Sequence, residues 1–89
     1  MNKIRRKNLA EIIERLEALK SEIEDIASDL EALKDEEEEY LDNIPENLQG
    51  SERYERAESA VDALDGAMSD LEDIDIEAII DQINEAIDT

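Results

Sequence analysis

Through its first half the chain repeats apolar residues at alternating intervals of three and four. Leu9, Ile12, Leu16, Leu19, Ile23, Ile26, Leu30, Leu33, Glu37, Tyr40 and Ile44 follow one another at that spacing. An α-helix turns once every 3.6 residues, so the series falls on one stripe of a helix, whereas a strand would need a period of two. In heptad terms, residues 9, 16, 23, 30, 37 and 44 take position a, and 12, 19, 26, 33 and 40 take position d. Ile13, Ala27 and Leu41 widen the stripe at position e. The pattern predicts one helix from about residue 4 to residue 42.

The repeat stops at Asn43-Ile44-Pro45-Glu46-Asn47-Leu48-Gln49-Gly50. Pro45 disfavours helix at Ile44, and Gly50 permits a left-handed turn, so residues 43–50 read as a connection. Ser51 then suits an N-cap, with Glu52 in the first turn of a second helix over about 51–72. Tyr54, Ala57, Val61, Leu64, Met68 and Leu71 carry its stripe. Near Asp73-Ile74-Asp75 the stripe slips by one position and resumes as Ile76, Ile79, Ile83 and Ala86, flanked by Ile80 and Ile87. Either the helix passes through with altered winding, or it bends or breaks with Asp73 or Asp75 capping a third helix over about 75–88. A break or bend is the favoured expectation.

Two long helices with a short connection imply an antiparallel, coiled-coil-like hairpin, and residues 1–89 read as one all-α domain. Folding back brings the basic start beside the acidic end, where Arg5, Arg6 and Lys7 would neutralise some of Asp81, Glu85 and Asp88. Two aliphatic helices bury little surface, so either the final segment packs on them as a third helix or the chain self-associates into a homodimer or larger bundle, and self-association is expected. The small residues Ala57, Ala60, Ala63, Gly66 and Ala67 would admit a neighbouring helix, or they serve only as helix formers.

Charge decides which functions are open. The chain has 28 acidic and nine basic residues, a net of −19 over 89 residues. Four bases fall in the first seven positions, and from Ala57 onward there are eleven acids and no base. A surface of that sign repels nucleic acid and anionic membrane and attracts proteins that bind them. Over a helical arm of about 55 Å the net charge amounts to about one per 3 Å, near the linear density of a nucleic-acid strand. A solvated acidic face that serves only solubility is the plainer alternative.

Chemistry is poorly provided for. Without His or Cys, the usual acid–base and thiol catalysts are lacking, and no enzymatic role is expected. No cofactor or metal is expected either. Di-metal bundles need Glu-x-x-His, and a calcium loop with Gly66 at its sixth position would put Val61 first, where it cannot ligate. The basic start is followed by charged, amphipathic sequence rather than an apolar segment, so neither a secretion signal nor a membrane span is expected.

The candidate contact surface is the turn end. It comprises Asp35, Glu36, Glu37, Glu38, Glu39, Asp42, Glu46, Glu52 and Glu55, with Tyr40 and Tyr54 as aromatic anchors. Glu37 at an a position implies that the helices splay there, because a packed seam would desolvate its charge. The two tyrosines either close a small core under the turn with Leu41, Ile44 and Leu48, or form a contact patch with an acidic rim.

The run from Asp35 through Tyr40 to Asp42-Asn43-Ile44-Pro45-Glu46-Asn47-Leu48-Gln49-Gly50-Ser51 resembles a segment of small, uncharacterised helical proteins of phages, prophages and their bacterial hosts. The resemblance covers about residues 35–60 specifically. It implies a phage or bacterial context and carries no mechanism; a cytoplasmic location, in the bacterial host cell, is the default expectation for a chain read without a secretion signal or membrane span. Phages also make small acidic inhibitors, anti-CRISPR and anti-restriction proteins among them, and some of these imitate DNA. Sequence and charge together lead to the expectation of a module that binds a basic, nucleic-acid-handling host protein and occupies its groove. A homo-oligomeric scaffold is the alternative.

Overall fold

A computed structural model describes all residues from Met1 to Thr89. Helix accounts for 87% of them and no strand is present, so the all-α class holds. Helix α1 spans Lys3–Asp42, α2 spans Glu52–Glu72 and α3 spans Ile76–Asp88. No helix is long and apolar enough to cross a membrane.

Each boundary has a local cause. Asn2 opens α1, its Oδ1 accepting the Arg5 backbone N–H at 2.7 Å. The chain leaves α1 at Asn43, passes Pro45 and makes a single 3-10 turn over Glu46–Leu48. No glycine takes a positive φ, so the left-handed turn expected at Gly50 does not form; the 3-10 turn reverses the chain instead. The Ser51 hydroxyl accepts from the Tyr54 N–H at 3.3 Å and caps α2. Between α2 and α3 the helix breaks. Asp73 ends α2, and the Asp75 carboxylate accepts from the Ala78 N–H at 3.0 Å to start α3.

The chain forms two compact units, and α1 contributes to both. A terminal unit joins Met1–Asp25 to Ile74–Thr89, and a central unit comprises Ile26–Asp73. In the terminal unit, Ile13, Ile76 and Ile80 are buried, with Leu16, Ile23, Ile83 and Ile87 packed around them. α1 and α3 run antiparallel there: Arg6 Nε donates to the Ile87 carbonyl at 3.2 Å, and Lys20 Nζ to Glu77 Oε1 at 2.9 Å. The expected pairing of Arg5, Arg6 and Lys7 with Asp81, Glu85 and Asp88 is therefore corrected. Arg6 reaches a backbone carbonyl in the last turn of α3, where free carbonyls and the negative end of the helix dipole favour a cation. The same arginine sits unfavourably at the start of its own helix, whose first turn has no acid and whose last turn has no base.

In the central unit, Ile44, Ala57 and Val61 are buried and Leu30, Leu41, Tyr54, Leu64, Met68 and Leu71 are half-buried. Lys34 Nζ bridges from α1 to Asp65 Oδ1 of α2 at 2.7 Å and lies 3.6 Å from Glu38. Across both units no side chain falls below 2% exposure, so the interior is a seam rather than an enclosed core.

That seam runs along a different pair of columns from the heptad stripe. Position a is covered as expected, half-buried from Leu9 to Glu37 and buried at Ile44. Position d is not: Ile12, Leu19, Ile26, Leu33 and Tyr40 stand 40%, 47%, 44%, 57% and 37% exposed. Their place is taken by position e, with Ile13 buried and Lys20, Ala27, Lys34 and Leu41 half-buried. The two lysines lay their methylene stems over the seam while their ammonium groups pair at its edge.

Candidate functional site

The acids of the turn end belong to the central unit, which holds 17 acidic and three basic residues, whereas the terminal unit holds 11 and six. The central unit thus carries a net −14 of the chain's −19. Helical spacing places Asp35, Glu36, Glu39 and Asp42 within an arc of about 120° on the side of α1 away from the a and e columns. All four are exposed. Glu46, Glu52 and Glu55 are exposed as well, on the 3-10 turn and the first turn of α2.

Few of these charges are neutralised within the chain. Among the nine candidate acids, only Glu38 and Glu52 make ion pairs, with Lys34 and Arg56 respectively. Asp65 is the nearer partner of Lys34, and its hydrogen bond is the first cause of a Lys34 pKa held above the ordinary value. In the terminal unit, the hydrogen bond from Glu77, followed by its charge, raises Lys20 likewise. No three carboxylates converge in a geometry that would hold a metal ion.

The two tyrosines part company. Tyr54 is half-buried on α2, whereas Tyr40 is exposed on α1. The Arg53 guanidinium lies over the Tyr40 ring, 5.3 Å from its centroid, and Arg53 Nε donates to the Tyr40 hydroxyl. This stacked pair combines cation–π attraction with a hydrogen bond at one place. Glu37, Tyr40, Glu52, Arg53, Arg56 and Ala57 line an open cleft between α1 and α2. Glu37 is tolerated at its a position because α2 opposes it with a small residue and two arginines rather than a wall of aliphatic side chains. A second hollow, lined by Tyr40, Ile44, Pro45, Leu48 and Arg53 among others, lies under the turn.

Glu37, Tyr40 and Glu52 are therefore brought together, while Asp35, Glu36, Glu39, Asp42, Glu46 and Glu55 form a solvated exterior. Arg53 and Arg56 were missed. The signal was available: a hairpin that folds about residues 46 and 47 sets position 53 against position 40. Of the small residues, Ala57 is 3% exposed and packed inside the central unit, so it presents nothing to another chain. Ala60 is half-buried, and Ala63, Gly66 and Ala67 are exposed.

Comparison of the chain with known protein families, with curated proteins and with solved structures finds no match in any of them.

Proposed function

We propose that the chain is a binding module, with no catalytic role, that presents the acidic exterior of its central unit to a basic protein. The partner class that fits is a nucleic-acid-handling protein of a bacterial host, whose phosphate-binding groove the carboxylates would occupy. The observation that carries this reading is the concentration of charge. Six of the nine turn-end acids, Asp35, Glu36, Glu39, Asp42, Glu46 and Glu55, are exposed and make no ion pair within the chain. Preset carboxylates at near nucleic-acid density attract a basic groove at long range and displace its counterions. The Tyr40–Arg53 pair supplies the aromatic anchor at the edge of that field. The likeness of the turn segment to phage and prophage proteins sets the bacterial context.

The test is capture from a bacterial lysate on the immobilised chain, followed by elution with a DNA duplex. The reading expects retained proteins that bind nucleic acids, released by duplex and by high salt. A variant with Glu36→Lys, Glu39→Lys and Asp42→Lys, all exposed and unpaired positions, should lose them. Retention of the same proteins by that variant, or resistance of the complexes to duplex, rejects the proposal.

A further inference from the structure

The apolar stripe of α1 is wider than the seam that covers it, and the terminal unit shows what remains. Ile12 and Leu19 stand 40% and 47% exposed on α1, and Ile79 stands 45% exposed on α3. The three share one side of the unit. Lys20 and Glu77 pair on one flank of the α1–α3 seam. Helical spacing puts Ile12 and Leu19 on the other flank of α1, and Ile79 about 160° around α3 from Glu77. Ile12, Arg15, Leu16 and Leu19 line a shallow groove there.

We propose that a second copy of this chain covers that face.

Charge selects the face. Two copies meeting through their central units would oppose net charges of −14, whereas the terminal unit carries −5 with six of the nine bases. Repulsion is therefore least where the apolar groove lies.

The rim supplies the register. Arg15 and Glu22 occupy successive g positions, both exposed, and neither makes an ion pair within the chain. An antiparallel, isologous contact with its two-fold axis between Ala18 and Leu19 sets Arg15 of each copy opposite Glu22 of the other. The groove thus offers both halves of a self-complementary pair, which a uniformly basic partner would not match. The contact lies outside the turn end and does not depend on what the central unit binds.

Sedimentation equilibrium on the full chain, over a range of concentrations, tests the proposal. The wild type is expected to dimerise reversibly. Leu19→Glu should give a monomer with unchanged helical ellipticity, because the position is nearly half exposed within one chain. Arg15→Glu should weaken the dimer roughly tenfold, and adding Glu22→Arg should restore it, since the exchange rebuilds both pairs in reversed sense. A wild type that stays monomeric at its highest soluble concentration overturns the proposal. So does a double variant no better than Arg15→Glu, or a dimer that ignores Leu19→Glu and yields to Leu33→Glu in the central unit.

Discussion

Ile79 and Ile80 are adjacent, chemically identical and on the same short helix, yet they differ tenfold in exposure, at 45% and 4%. Replacing each with alanine isolates what the seam contributes. Alanine raises helix propensity by a few tenths of a kcal/mol at either site, and that gain cancels in the comparison. Full burial of an isoleucine is worth about 1.5–3 kcal/mol, of which Ile79 realises about half, so Ile79→Ala should cost about 1 kcal/mol. Ile80 loses its whole transfer energy and leaves a cavity beside Ile13 and Ile76. Buried Ile→Ala changes cost about 2–5 kcal/mol, and the absence of fully enclosed neighbours puts this one at about 2–3 kcal/mol. The assay is urea unfolding followed by far-ultraviolet ellipticity, at a protein concentration low enough to keep the chain monomeric. With a slope near 1–1.5 kcal/mol per molar, the Ile80→Ala midpoint should fall by about 2 M and the Ile79→Ala midpoint by less than about 1 M. Equal shifts, or the larger shift at Ile79, would refute the assignment of the interior face of α3. At concentrations that favour the dimer, the cost of Ile79→Ala should grow, since association adds to apparent stability.

Three further outcomes follow. Gly66→Ala should raise stability by about 0.5–1 kcal/mol, because the glycine sits inside α2 with open space around it; a loss in thermal melting would mean that a close helix contact uses that position. The lysines give a pH dependence of definite sign. Lys20 and Lys34 are held above their ordinary value of 10.5 in the folded chain, so their contribution is complete below that pH and disappears as pH rises through the raised values. Urea midpoints of the wild type should fall across that window more steeply than those of Lys20→Met/Lys34→Met, and parallel curves would disprove the linkage. Added salt should raise the melting temperature, since screening a net −14 in the central unit outweighs weakening of a few exposed ion pairs; a fall in scanning calorimetry would reverse that ranking.

Much of the architecture was legible in the letters. The three–four spacing from Leu9 to Ile44 determines α1, Pro45 stops it, and the slip at Asp73-Ile74-Asp75 marks the start of α3. The seam was not legible, for a physical reason. Heptad reading counts apolar letters, and two of the five e positions from 13 to 41 are lysines. Lys20 and Lys34 cover the seam with their stems and satisfy their charges on Glu77 and Asp65, so the α2 and α3 contacts fall on the a and e columns. The d column, strongest by sequence, is left bare. The acidic exterior was foreseen because charge on a solvent face needs no partner to be recognised. The Tyr40–Arg53 stack was not, since it requires knowing where the chain reverses.

The most direct measurement of the central claim is competition in solution. A captured, purified partner holding a fluorescent DNA duplex is titrated with the chain while anisotropy is read at rising ionic strength. Displacement of the duplex is predicted, with an apparent affinity that falls steeply with salt and is lost in the Glu36→Lys/Glu39→Lys/Asp42→Lys variant. A ternary complex in which duplex and chain are bound together, or displacement indifferent to salt and to those three reversals, would contradict it.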